Sequence, residues 1–450
     1  MTERPDVYET LDLALRIGEV LLTSGAGAAD VTATMLAVTH ACGVRHVTAD
    51  VTFVDLTLRH QPSSDQPAAL QMRRVIRRRV DYADLIAVDR TVNDLVAGDI
   101  SRAEARDQVA RIVSTGHTRY RWAVTVGWGL MGTGIALTLG GSLVVCLLAF
   151  AAACAIDGTQ VLLPQHRIPA FYQQAAGGFV ATVIAVAASA TELEVNPSRV
   201  VTAGIVMLLA GVGIMGATQD ALTGFPVTAS ARLIDALLNT AGIITGVGAG
   251  LTVGELLGVG LTSFKPGAAG LAEVGVTVLG AALAAAAFAF ASYAPLRALL
   301  AVALVGALGQ GVLLAVASSA AVGRTWGSAL AAVTIGAVCY LVSGRFRVPP
   351  LVVVVPAIVP LLPGLDIYRG LALLAQGEDG VLQLASAFAT ALALAAGVIL
   401  GQYLARPLKR EAHRLEARLA GPHMVGPFRR RVSKQSDSVA GPTDDAGDDR

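Results

Sequence analysis

Over its 450 residues the chain is 54% hydrophobic and only 15% charged, with a mean hydropathy of +0.62. That excludes an ordinary soluble enzyme, in which about a quarter of the residues are charged. A net charge of +1 argues against a nucleic-acid partner. Residues 1–121 hold 15 Arg/Lys and 16 Asp/Glu, residues 122–404 only 9 and 10, and residues 405–450 hold 10 and 7. The chain therefore reads as a polar head, a long apolar middle and a basic tail.

The head is expected to stay in the cytoplasm. Thr2 to Val20 is acidic and amphipathic, whereas a signal peptide needs a basic flank before an apolar run. Apolar residues at Leu11, Leu15, Val20 and Leu22 predict a helix over Tyr8–Leu22, and Asp30–Ala41 continues in helical period after the break Ser24-Gly25-Ala26-Gly27. Alternation predicts strands over Val47–Thr52 and Phe53–Arg59, a third near Met72–Val80, then helices over Asp84–Ala97 and Arg102–Val113. This is a small α+β domain. The Ser-Gly-Ala-Gly break lacks the Gly-Lys-Ser/Thr of a phosphate loop, and the chain holds no Gly-x-Ser-x-Gly elbow or His-Glu-x-x-His helix. No cofactor is expected. Asp50 and Asp55 with His40, His46 and His60 could build a hydrolytic or metal site, but solvated polar faces are the simpler reading. Arg73, Arg74, Arg77, Arg78 and Arg79 form a basic run that either touches anionic lipid or lies on a solvated strand face. Cys42, Cys146, Cys154 and Cys339 show no paired spacing and read as structural thiols.

A membrane-crossing helix needs about 20 apolar residues. Ten segments fit: Trp122–Leu139, Ser142–Asp157, Phe171–Ala190, Arg199–Ala217, Asp235–Gly258, Val274–Tyr293, Leu296–Ala317, Trp326–Ser343, Pro350–Leu362 and Val381–Leu404, the second and ninth being short. Arg119 and Arg121 abut the first, and Arg406, Lys409, Arg410 and Arg414 follow the last, which places both termini in the cytoplasm.

An internal repeat runs at an offset of 153. It aligns Leu208-Leu209-Ala210-Gly211 with Leu361-Leu362-Pro363-Gly364, Pro197 with Pro350, and Gly127 with Gly280. The shift carries the first five spans onto the last five. Since five is odd, the second copy enters the bilayer from the opposite side, an inverted repeat of the kind that builds secondary transporters. Each copy holds a glycine-bearing break with a polar stretch, Gly211 to Asp220 and Gly364 to Gly370. These either line a substrate path, where irregular backbone is tolerated, or end helices at the interface. The basic tail begins as an amphipathic helix and then becomes polar and disordered in composition.

The order Leu22-Thr23-Ser24-Gly25-Ala26-Gly27, Cys42-Gly43, Asp220-Ala221-Leu222-Thr223-Gly224, Ala231-Arg232-Leu233 and Leu362-Pro363-Gly364 resembles the threonine/serine exporter family of bacterial membrane carriers. The resemblance covers roughly Leu11 to Leu404. It implies efflux of L-threonine and L-serine driven by the proton motive force, with a cytoplasmic N-terminal domain and about ten passes. Gly211, Asp220, Gly224, Arg232 and Pro363-Gly364 match the family's pattern; Ala210 departs from it, standing where a proline would be expected.

A zwitterionic substrate in a low-dielectric cavity needs donors for its carboxylate and acceptors for its ammonium group. The expected path residues are Gly211, Gln219, Asp220, Gly224, Arg232, Asn239, Pro363, Gly364 and Asp366. Proton coupling needs a carboxylate whose pKa rises on burial, and the candidates are Asp220 first, then Asp157, Asp235 and Glu255. The expectation is a polytopic α-helical membrane protein of the bacterial inner membrane, about ten helices in a 5+5 inverted repeat with a small N-terminal cytoplasmic α+β domain. Its parts are residues 1–121, 122–261, 262–404 and a partly disordered tail, 405–450. Its partners are the amino acid, protons and membrane lipid, and its oligomeric state, monomer or homodimer, is open. The alternatives are a membrane-anchored enzyme with a hydrolytic head and a passive small-metabolite channel.

Overall fold

The computed structural model describes residues 6–419 apart from 76–79, 117–118, 191–196, 206–207, 209–210, 259–270, 319–322, 347, 364–365, 367–368, 371–372 and 374–378. Met1–Arg406 form one compact unit and Pro407–Arg450 a second.

The chain opens with α1 (Val7–Thr23), α2 (Ala28–Ala41), β1 (Val47–Val51), β2 (Asp55–His60), β3 (Ala69–Arg74), α3 (Tyr82–Ala97) and α4 (Arg102–Ser114). Local signals fix the helix ends. Asp6 accepts from the amides of Tyr8 and Glu9 at 3.1 and 3.3 Å, Asp81 caps α3 in the same way, and Ser101 with Glu104 forms a reciprocal box at α4. The strands form one antiparallel sheet in the order β1-β2-β3, pairing Val47 with His60 and Asp55 with Arg74. Leu56 and Leu58 on β2 share a buried core with Leu11, Ile17 and Leu22 of α1 and Met35 of α2.

Two strand boundaries differ from the sequence reading. Phe53 and Val54 form the tight turn between β1 and β2, closed by Thr52 N–H to the Asp55 carbonyl at 2.9 Å. The third strand starts at Ala69, earlier than its apolar alternation suggested, because pairing with β2 sets its register. Within the basic run, Arg73 pairs with Asp12 and Glu19 of α1 and Arg74 with Asp55, so both are engaged by protein acids. Arg77, Arg78 and Arg79 lie outside the described residues.

The rest is helical: α5 (Arg121–Thr138), α6 (Leu143–Gln165), α7 (Ala170–Ser189), α8 (Pro197–Ile205), α9 (Gly211–Leu222), α10 (Pro226–Leu256), α11 (Leu271–Ala291), α12 (Leu296–Ala317), α13 (Gly323–Phe346), α14 (Leu351–Ile358) and α15 (Val381–Leu419). Among the described residues, seven helices are long and apolar enough to cross a membrane: α6, α7, α10, α11, α12, α13 and the Val381–Ala405 part of α15.

Three predicted spans change. The second runs on to Gln165 instead of ending at Asp157, so it is not short. In the fourth, Leu208, between α8 and α9, lies in a 3₁₀ turn. The ninth is α14 followed by the 3₁₀ turn Val359–Leu361. In both of the last two, hydropathy continues through a tightened turn that a window average cannot register.

Helix starts recur at a fixed interval. Leu143 and Leu296 open α6 and α12, and Ala170 and Gly323 open α7 and α13, each pair 153 residues apart. Helices α5 and α11 cross antiparallel at very short range. A Cβ built on Gly134 would lie 2.6 Å from the Ala284 amide nitrogen, and one on Gly280 would lie 2.7 Å from the Gly134 carbonyl oxygen and 2.9 Å from the Thr138 nitrogen. Only glycine permits this backbone contact. Along α10, Gly242, Gly246 and Gly250 admit Phe171, Ala175 and Thr182 of α7, so these two helices run parallel in close contact, as small residues allow in lipid.

Candidate functional site

Helices α9 and α10 form an antiparallel hairpin. Gly224 turns the chain at φ +91°, a left-handed conformation that suits glycine, and Phe225 N–H donates to the Asp220 carbonyl at 2.8 Å. Pro226 opens α10, where a missing N–H costs nothing. The hairpin brings Asp220, near the end of α9, against Arg232, in the second turn of α10: Arg232 Nη1 lies 3.3 Å from Asp220 Oδ2. Asp220 is 0% and Arg232 7% exposed. A charge so far from water persists only when paired and hydrogen-bonded.

The remaining bonds come from the N-terminal part of the chain. Ala28 N–H, in the first turn of α2, donates to Asp220 Oδ1 at 2.9 Å, and Arg232 Nη2 donates to the Ala26 carbonyl at 3.1 Å. The carboxylate thus sits at the positive end of a helix and the guanidinium on the loop before it. The Gln219 side chain lies beside Gly27. Thr228 Oγ1 of α10 also donates to the Val51 carbonyl at 2.8 Å, and Tyr82 N–H bonds the carbonyl of Ser292, just after α11, at 2.9 Å. Asp30, a turn along α2, has its pKa raised, first by crowding that desolvates its carboxylate and then by repulsion from Asp220.

The other expected residues lie apart from this pair. Asp157 of α6 is 5% exposed and accepts from Arg121 and from Thr125 Oγ1 at 2.8 Å, both on α5, so it lies inside a helix rather than at a span end. Asp235 is exposed on α10 and accepts from Asn239 at 3.1 Å one turn on. Glu255 is exposed beside the last residue of α10. Gly211 begins α9, so Gly211–Asp220 is helical, correcting the expected unwound stretch. Pro363 is buried in the turn after the 3₁₀ segment and Asp366 is partly buried, while Gly364 lies outside the described residues. Among the described residues no three His, Cys, Asp or Glu side chains gather as a metal site, and Asp55 is taken by Arg74.

Sequence reasoning found both members of the Asp220–Arg232 pair. It missed Ala26, Ala28, Val51, Thr228, Tyr82 and Ser292. Five of these contribute main-chain groups, which carry no side-chain signature; the Ser-Gly-Ala-Gly break was the one visible sign that the backbone there is used.

The apolar helices and their glycine-mediated contacts define a polytopic, membrane-embedded helical protein. Residues 12–254 match the family described as "Putative threonine/serine exporter", and residues 277–404 match "Threonine/Serine exporter, ThrE". The chain is 36% identical over 425 residues to a probable threonine/serine exporter of Mycobacterium tuberculosis, covering 92% of this chain and 80% of that protein. It is 34% identical over 419 residues to a threonine/serine exporter of Corynebacterium glutamicum, covering 91% and 85%. No solved structure matches it. The chain belongs to the threonine/serine exporter family.

Proposed function

We propose that this protein is a secondary transporter that uses the proton motive force to export L-threonine and L-serine across the bacterial inner membrane. Its termini and α/β region face the cytoplasm, and its membrane helices form a 5+5 inverted repeat. The α5–α11 crossing carries this reading. Gly127 of α5 packs on Ala291 of α11, and Thr138 of α5 lies beside Gly280 of α11. Shifting by 153 turns the first pair into the second, so the contact is reciprocal between equivalent helices running in opposite directions. A two-fold axis perpendicular to the helices has this property, and such an axis relates inverted repeats. The matched starts of α6 and α12, and of α7 and α13, support the same halving, as does the boundary between the two family matches. The substrate class rests on the family.

Asp220 is the favoured coupling carboxylate, because it is fully buried and paired with the buried Arg232. Asp220→Asn keeps the oxygen that Ala28 uses and removes the titrating proton. In vesicles preloaded with labelled threonine or serine, the parent is expected to show efflux that accelerates when an acid-outside gradient is imposed. Asp220→Asn should lose that acceleration at least tenfold while remaining folded. Efflux by the parent that ignores the gradient would refute the reading.

A further inference from the structure

The α/β region is bound to the α9–α10 hairpin at a point where both of its partners are charged, buried and carried by the hairpin. Asp220 holds the Ala28 amide at 2.9 Å and Arg232 holds the Ala26 carbonyl at 3.1 Å, so one ion pair grips the loop before α2 from two sides. An apolar contact would tolerate sliding, but this one is directional. The carboxylate must lie on the axis of the α2 N-terminus, and the guanidinium must span Asp220 and Ala26 together. A shift of α9 by a turn would break both of the bonds that Asp220 makes, to Ala28 and to Arg232.

We infer that the Asp220–Arg232 pair is a latch, and that the α/β region is a gate which α9 must release and refasten in each transport cycle. This rests on the transporter reading above. The Asp220 carboxylate and the Arg232 guanidinium are then positioning groups: they act on the transported molecule through where they hold the loop at 24–28.

Gly27 offers a direct test. Its φ of −68° accepts any side chain, and a Cβ there would lie 3.7 Å from the Gln219 side-chain nitrogen. In the full-length protein with Cys42, Cys146, Cys154 and Cys339 replaced by serine or alanine, Gly27→Cys and Gln219→Cys are combined and joined by oxidation or a short bis-thiol reagent. Threonine efflux from vesicles should fall at least tenfold on joining and return with reductant after oxidation. Undiminished efflux by the joined protein would overturn the gate.

A second measurement does not depend on cargo. In lipid nanodiscs, amide hydrogen exchange over residues 28–31 should speed up at least tenfold in Asp220→Ala, which removes the acceptor that Ala28 uses, and by less in Arg232→Lys, which keeps the charge but not the two-sided span. Exchange unchanged in both variants would overturn the latch. A parent protein that moves neither amino acid refutes the exporter reading instead, and hydrogen exchange then decides the latch by itself.

Discussion

Asp220, marked in the sequence by its place after the Gly211 stretch, is held in space by partners from two distant parts of the chain. It is reached by Arg232 through a tight turn and by Ala28 from a part of the chain 192 residues away. Removing one member of such a buried pair leaves the other unbalanced, which typically costs about 3–5 kcal/mol. Arg232→Met is therefore expected to lower the melting temperature in detergent more than Asp220→Asn, which leaves the Ala28 bond in place; equal melting would show that the guanidinium is hydrated. Asp30 behaves in the opposite sense. Its folded pKa is raised above the ordinary 3.8, so the fold favours the protonated form and loses stability as pH rises through the raised value. Asp30→Asn should accordingly melt above the parent at pH 7, with the difference closing below about pH 4. A difference that persists in acid would assign the effect to packing rather than charge.

At the scale of elements, glycines determine which helices can touch. The α5–α11 crossing places backbone against backbone at Gly134 and Gly280. Gly134→Leu should separate the helices at a cost of at least about 1–3 kcal/mol, read as loss of a monodisperse peak in fluorescence-detected size exclusion. Gly248→Leu on α10, where a Cβ would meet nothing within 4 Å, should leave that peak intact. Equal behaviour of the two would contradict the crossing. These elements were largely legible beforehand. The apolar period of α1 to α4 is a local signal, and seven of the ten predicted apolar spans fall on helices that, among the described residues, are long and apolar enough to cross a membrane. The 3₁₀ turns at Leu208 and Val359–Leu361 were hidden because hydropathy records side chains, while a turn is a property of backbone torsions. The strand register of β3 was missed for a related reason: hydrogen bonding to β2 sets it, not its own alternation.

For the whole molecule, the proposed inverted halves and the docked α/β region would together make a carrier in which one side can close while the other opens. If one proton enters for each amino acid that leaves, a gradient of one pH unit supplies about 1.4 kcal/mol and sustains about a tenfold gradient of substrate. Coupling also has to work in reverse, since linkage is reciprocal. The most direct measurement follows from that. Vesicles containing the purified protein are loaded with threonine and a pH-reporting dye, then diluted into threonine-free buffer at equal pH with the membrane potential clamped. Departure of threonine should draw protons inward and acidify the interior, and Asp220→Asn should abolish the acidification. Threonine leaving at a constant internal pH would contradict proton coupling and leave a uniporter or channel.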